Sequence, residues 1–407
     1  MVLVTRLRGN VLHFAFLYPQ IKKLTGAQRL ILQLARSTMV AGHRVTLVTH
    51  RLGDEPRAAM PANLDVIETG RRVDWFAHHY ADAVLEYALS ALLVRHIPKD
   101  VDALVCFGSP SLPALWWARR RGWGAPKRPL LAFLYEPPRF VDRDRADVVA
   151  GLGRIGSLIQ PLFAVYSALD RRFARAADAL LANGAYGAAR LTQVYGHDAI
   201  ILPHGVDFRE ADAQAVVAMR ARYHLPEGAL VLLTVNQLHP RKRIDLFIRA
   251  VAALREMHPA VIGLIVGRGV DEARLRAEAA RCGVTDAIRF AGFVAEDDLP
   301  AVYRSVTAYL HTGRDETFGL SVLEAAWSGV PVVAVNEGGP PGIIRENGWI
   351  VPTDVAMIVG ALNDLLAHPS TARARAVRAQ ADVRARFRWA DGATALIQTV
   401  EDVRGGY

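Results

Sequence analysis

In the first half of this chain, short aliphatic runs alternate with longer stretches whose apolar residues recur three and four apart. The strand-like runs are Val11–Leu17, Arg44–Thr49, Asp102–Phe107, Leu130–Tyr135, Ala179–Ala182 and Ile200–Leu202. Between them lie the helix-like stretches Gly26–Val40, Tyr80–Arg95, Leu112–Arg121 and Leu158–Ala176. Strands buried on both faces read as unbroken apolar runs, and a helix between each pair permits parallel pairing, so the pattern predicts a doubly wound parallel sheet. A second series begins at the strand Leu230–Val235. It continues through the helix Leu246–Met257 and the strand Ala260–Val266 to a closing strand within Asn347–Val351. With 407 residues, 52% of them hydrophobic, the chain is long enough for two such domains and too apolar for disorder.

The stretch from His311 to Val335 holds two glutamates, Glu316 and Glu324, with seven residues between them, Phe318-Gly319 among these. Leu320, Leu323, Trp327 and Val330 recur at helical spacing, so a helix is predicted to start near Gly319 and to stop at Gly329-Val330-Pro331. Its first N–H groups, around Phe318, Gly319 and Leu320, have no acceptor inside the helix and suit an anion such as a diphosphate. Glu324, inside the helix, could take the hydroxyls of an adjoining ribose. Upstream, Gln237 and then Arg241-Lys242-Arg243 follow a predicted strand. Three adjacent cations at a strand's carboxyl end call for solvent or for an anion, and a nucleotide diphosphate would match them.

The glutamate pair, with Phe318-Gly319 inside it and Gly329-Val330-Pro331 after it, resembles the signature of retaining glycosyltransferases of the two-domain GT-B fold, family 4 in particular. Other segments resemble the same family: Gly42–Thr49, Pro203–Asp207, the mannosyltransferase-like Lys242-Arg243-Ile244-Asp245, and Phe290–Val294. The resemblance implies two Rossmann-like domains facing across a cleft, residues 1–207 for the acceptor and 208–386 for the nucleotide sugar. A last helix, 387–407, would cross back to the first domain. It also implies roles. Glu316 would hold sugar hydroxyls rather than attack as a nucleophile, and Lys242 with Arg241 would neutralise the leaving diphosphate. Glu324, Phe318, Gly319, Leu320, Gln237 and Phe293 would bind the donor, as would Gly26 and Tyr135 in the first domain. Arg139 and Glu136 would meet the acceptor. Three positions depart from the family pattern: Gln237 stands where an arginine is usual, Tyr135 where a histidine is common, and Gly342 where a glutamate is expected.

The formal charge of +9 is unevenly placed: residues 1–200 carry 26 Lys and Arg against 16 Asp and Glu, the remainder 23 against 24. A basic first half suits an anionic partner. No zinc-finger, RNP or basic-zipper pattern supports nucleic acid, which leaves an anionic membrane surface or a phosphorylated lipid. Leu115–Arg128 and Arg154–Arg175 place tryptophan or aliphatic residues beside arginines, as a peripheral membrane contact requires. No run reaches the length of a membrane span, and no cleavage site follows Val11–Tyr18, so residues 1–9 read as a lead-in. Cys106 and Cys282 form no CxxC pair and read as buried thiols in a reducing compartment.

The expectation is therefore a cytoplasmic, peripherally membrane-associated glycosyltransferase that needs no metal. Its donor would be a GDP- or UDP-sugar, mannose foremost, and its acceptor a lipid-linked glycan. A metal held by an Asp-x-Asp motif has two candidates, Asp100-Val101-Asp102 and Asp142-Arg143-Asp144, neither in a fitting context. A sugar-nucleotide epimerase on the same fold, and a degenerate nucleotide-binding or scaffold subunit, are the alternative readings.

Overall fold

A computed structural model describes residues 10–72, 79–137 and 154–406. They form two compact units, one of residues up to Gly205 together with the segment from Arg388, the other Val206–Phe387.

In the first unit the strands are β1 (His13–Leu17), β2 (Gln20–Ile21), β3 (Arg44–Thr49), β4 (Arg51–Leu52), β5 (Asp65–Glu68), β6 (Ala103–Phe107), β7 (Leu130–Phe133), β8 (Ala179–Ala182) and β9 (Ala199–Ile201). Among the described residues seven of them make one sheet in the order β5-β3-β1-β6-β7-β8-β9, and β2 and β4 pair separately. Every pairing in the large sheet is parallel. Strand β1 is buried along its whole length, as are β6 and β7. Helices on both faces enclose two cores, one around Phe16, Phe107 and Phe133, the other around Leu104, Leu115 and Leu180.

The second unit holds β10 (Leu230–Val235), β11 (Val261–Val266), β12 (Ile288–Gly292), β13 (Ala308–His311), β14 (Val332–Val335) and β15 (Trp349–Val351). They form a parallel sheet ordered β12-β11-β10-β13-β14-β15. The order doubles back beside β10, so the loops after β10 and β13 share the switch point where ligands of such sheets bind.

The last helix, Trp389–Gly405, belongs to the first unit and packs on the helix Gly26–Val40. Two glycines let it dock. A Cβ on Gly205 would lie 2.5 Å from the Trp389 ring, and one on Gly392 would lie 2.4 Å from the Pro203 carbonyl oxygen. Arg404 anchors the far end through a 2.7 Å contact to Asp102.

Three readings need correction. The helix expected over Tyr80–Arg95 is a helix over His79–Ser90 followed by a tighter 3-10 segment, Ala91–His96. The strand Asp65–Glu68 was not foreseen, because an edge strand of four residues with acidic ends carries too little apolar signal. Cys282 is half-buried rather than buried, whereas burial of Cys106 raises its thiol pKa far above the ordinary range. The lead-in 1–9 and the Asp142–Asp144 segment lie outside the described residues.

Candidate active site

The loops after the second unit's strands are packed so closely that only glycine fits at several positions. A Cβ on Gly267 would fall 1.8 Å from the Asn236 carbonyl oxygen, and one on Gly269 would fall 2.0 Å from that of Leu238. The loop after β14 clamps the loop after β13 in the same way. Gly338 has φ +71°, and its Cβ would stand 2.3 Å from the Glu316 carbonyl oxygen. The Gly339 N–H donates to that same oxygen at 2.7 Å. Glu316 is thereby fixed from the backbone outward.

Into this frame the β10 loop delivers its cations. His239 caps a short turn, Pro240–Lys242, and Arg243 takes the left-handed conformation at φ 47°. Lys242 is buried, and its ammonium donates to the Glu316 carboxylate. The Arg241 guanidinium lies 3.9 Å from the same oxygen. Thr312 donates to the Lys242 carbonyl oxygen at 2.9 Å, and the Arg314 N–H donates to that of Arg241, which ties the two loops together. Burial works against charge on Glu316, but Lys242 and Arg241 outweigh it and hold the carboxyl down at about 2. A buried ion pair flanked by a second cation is costly to assemble and sensitive to the loss of either partner.

Gly319, at φ +101°, opens the helix Leu320–Trp327 immediately after Glu316. The N–H groups of its first residues have no acceptor within the helix. Lys242, Arg241, Glu316 and this helix start are therefore brought together. Other candidates lie further off. The Phe318 side chain belongs to the core, edge-on to Phe387 at 5.7 Å, so only its backbone faces the loop chemistry. Leu320 packs against the same core. Glu324 is buried on the inner face of the helix and accepts the Tyr303 phenol at 2.9 Å. Gln237 is exposed on the β10 loop, and Phe293 is 53% exposed beyond β12. Gly342 leaves open space where the family has a side chain.

In the first unit, Gly26 is the exposed first residue of its helix, and the Tyr135 hydroxyl donates to the neighbouring Ala27 carbonyl oxygen at 3.3 Å. Burial raises the Tyr135 pKa, so the phenol stays a donor at any physiological pH. Glu136 is half-buried beside it, and Arg139 lies outside the described residues. Asp100 and Asp102 stand at the amino end of β6, opposite the ligand edge. Asp100 pairs with Arg44 and His13, and Asp102 with Arg404. The described residues contain no cluster of three or more metal-ligating side chains.

Two buried groups escaped the sequence reading. His311 ends β13 next to the Lys242–Glu316 pair, fully buried, with neither ring nitrogen hydrogen-bonded. Burial pushes its pKa down to about 4; Glu316 pulls upward, and Lys242, Arg243 and Arg241 add to burial. In the first unit Asp170 accepts hydrogen bonds from Ser109 and Tyr195, and burial nonetheless lifts it to about 6. A lone histidine at a strand end and a lone aspartate in a helix carry no spacing signal, so only tertiary packing reveals them.

Two Rossmann-like sheets, with the terminal helix returned to the first unit, define the GT-B class of glycosyltransferase folds, and solved structures of that class superpose on the chain. Anabaena HepE in complex with UDP and glucose matches with a TM-score of 0.73 at 18% identity, over 95% of this chain and 99% of that one. WaaG, a glycosyltransferase involved in lipopolysaccharide biosynthesis, matches at 0.69 and 19% identity, over 97% and 100%. Residues 24–210 match the profile of Glycosyltransferase Family 4, and residues 218–382 that of Glycosyl transferases group 1. The chain belongs to this family of glycosyltransferases. A D-inositol 3-phosphate glycosyltransferase of Streptomyces bingchenggensis is 34% identical over 58% of this chain and 56% of its own length. A GDP-mannose-dependent alpha-(1-6)-phosphatidylinositol monomannoside mannosyltransferase of Mycobacterium tuberculosis is 32% identical over 54% and 60%. The chain thus spans little more than half the length of these curated relatives.

Proposed function

We propose that this protein is a retaining glycosyltransferase. It moves a sugar, mannose foremost, from a GDP- or UDP-sugar to a lipid-linked or membrane-proximal glycan, without a metal ion. The observation that carries the proposal is the meeting of Lys242, Arg241 and Glu316 at the carboxyl edge of the second sheet, beside the start of the helix Leu320–Trp327. Cleaving a sugar nucleotide leaves negative charge on the diphosphate, and fixed cations and backbone donors stabilise it at the moment it grows. Lys242 and Arg241 supply the cations, and the first N–H groups of the helix supply the donors. In the resting state Lys242 is neutralised by Glu316. An incoming diphosphate takes over the ammonium, which turns Glu316 toward sugar hydroxyls. To Glu324, buried about one turn into the helix and accepting from Tyr303, we assign the ribose hydroxyls.

The mannosyl donor and lipid acceptor are supported by the name of the mycobacterial relative, and a phosphorylated acceptor by that of the inositol 3-phosphate enzyme. A cytoplasmic, peripheral membrane location is supported by the basic first half and by Val165 and Leu169, which are 57% and 40% exposed beside Arg171 and Arg172. Among the described residues no helix is long and apolar enough to cross a membrane. The test is a panel of radiolabelled sugar nucleotides incubated with the purified chain and a membrane-lipid extract, with and without chelator. Label should enter a lipid-soluble product from GDP-mannose at the same rate in both arms. Isomerisation of the donor without acceptor, or nucleotide binding without turnover, would overturn the proposal.

A further inference from the structure

At the opposite edge of the same sheet, by the amino ends of β13 and β14, the second unit contains a cavity of about 400 Å3. Val306 and Pro331, each just ahead of its strand, form part of its wall. The volume lies within the range of small-molecule sites. Four guanidinium groups border it: Arg209, Arg304, Arg373 and Arg384. The only carboxylate among the lining residues is Glu210, which lies 3.3 Å from Arg384 but is 75% exposed. Such an exposed pair contributes little and is readily displaced. The concentration of positive charge is local, because residues 201–407 as a whole carry 23 basic against 24 acidic side chains. Trp327 and Tyr303 add aromatic surface, with the Arg384 guanidinium 5.6 Å over the Trp327 ring. The Arg384 Nε is buried without a hydrogen-bond acceptor.

We infer that this cavity is a second anion site that takes a small phosphate monoester, and that its occupancy is felt at Glu316 and Glu324. Planar guanidinium forks match phosphate oxygens bidentately, and several of them around one cavity exceed what a single carboxylate satisfies. The aromatic surface suits the ring of a phosphorylated sugar more than a bare ion. Two physical links run to the candidate active site. Tyr303, which lines the cavity, donates its phenol to Glu324 at 2.9 Å. The eight-residue helix Leu320–Trp327 starts beside Glu316 and ends in the cavity wall, a distance of about 12 Å. Its terminal carbonyl, that of Trp327, accepts from Arg384 at 3.3 Å and from Gln380 at 2.8 Å. A phosphate that draws Arg384 away therefore acts on the end of the helix that carries Glu324. This coupling rests on the donor-site reading, whereas the binding does not.

The experiment titrates the full chain calorimetrically with inorganic phosphate and, separately, with a hexose monophosphate. Both titrations use a Lys242→Ala background, which weakens anion binding at the candidate donor site. One site is expected, with the hexose monophosphate bound more tightly. The affinity should fall at least tenfold in Arg373→Ala, whose exposed side chain can be lost without unfolding the chain, and further when Arg384→Ala is added. Absence of heat with both probes, or affinity unchanged by Arg373→Ala, would overturn the site. Binding of inorganic phosphate as tight as that of the hexose monophosphate would overturn the assignment to a monoester. Coupling is read on the unsubstituted protein as a change of at least fivefold in nucleoside diphosphate affinity on saturation with hexose monophosphate. Intact anion binding with unchanged nucleotide affinity would remove the coupling and keep the site. Loss of nucleotide binding altogether would instead strike the donor-site reading.

Discussion

Replacing Glu316 with glutamine separates the two things its carboxylate does. Lys242 and Arg241 hold that carboxyl at about 2 instead of its ordinary 4.5. A depressed carboxylate pKa adds stability above the unfolded value, so ionised Glu316 contributes about 3 kcal/mol at neutral pH, a contribution lost as pH falls from about 4.5 to about 2. A neutral amide stands in for the protonated acid, so Glu316→Gln should cost about that much. In a unit of this size the change lowers the melting temperature by about 6–12 °C. A domain with ~5–15 kcal/mol to spare stays folded at 25 °C. Turnover should respond differently. Loss of one fixed electrostatic contact to the reacting sugar costs roughly 100- to 1,000-fold in kcat. Meanwhile Lys242, released from its intramolecular partner, should bind nucleoside diphosphate at least as tightly as before. Thermal denaturation, initial rates with GDP-mannose and calorimetric titration with GDP and UDP provide the three readouts. If turnover stays within twofold of the parent while the melting temperature drops, Glu316 is only a counter-ion for Lys242, and the catalytic reading fails.

Other consequences follow from the same geometry. Lys242→Ala removes a charge-assisted contact to the diphosphate and should weaken nucleoside diphosphate binding about 10- to 100-fold; an unchanged dissociation constant would place the diphosphate elsewhere. Burial lowers His311 to about 4 and His204 to about 3. Between pH 6.5 and those values the unfolded chain holds protons that the folded chain refuses, so stability should fall as pH drops, by up to about 1.4 kcal/mol per pH unit for each histidine. Urea unfolding at stepped pH checks this, and His204→Gln should flatten the slope. Two glycines with different surroundings make a paired test. Gly338→Ala puts a methyl 2.3 Å from a carbonyl oxygen at φ +71° and should destabilise by more than 1 kcal/mol. Gly342→Ala meets open space and should be neutral or slightly stabilising by melting temperature.

Much of the architecture is local in origin and so could be read directly. The helix Gly26–Val40 and the strands Arg44–Thr49, Ala179–Ala182 and Leu230–Val235 appear at the expected bounds. Each is set by a run of apolar residues and by punctuation at its ends. The helix after Glu316 also starts and stops where Gly319 and Gly329-Val330-Pro331 placed it. The edge strand Asp65–Glu68 escaped because its pairing with β3, rather than its own composition, makes it a strand.

The sequence by itself determined the class of fold, the order of its elements and the residue types at the switch point, because apolar periodicity and glycine or proline stops act over a few residues. Only the tertiary structure decided which of those residues meet. It brought Lys242 to Glu316 across 74 positions of chain, buried Phe318 while leaving Phe293 exposed, and set His311 unpartnered behind the ion pair. The arginine-bordered cavity on the far edge arises in the same way, from side chains far apart in sequence. Such encounters depend on close packing between loops that share no local signal, and packing is a property of the whole folded unit.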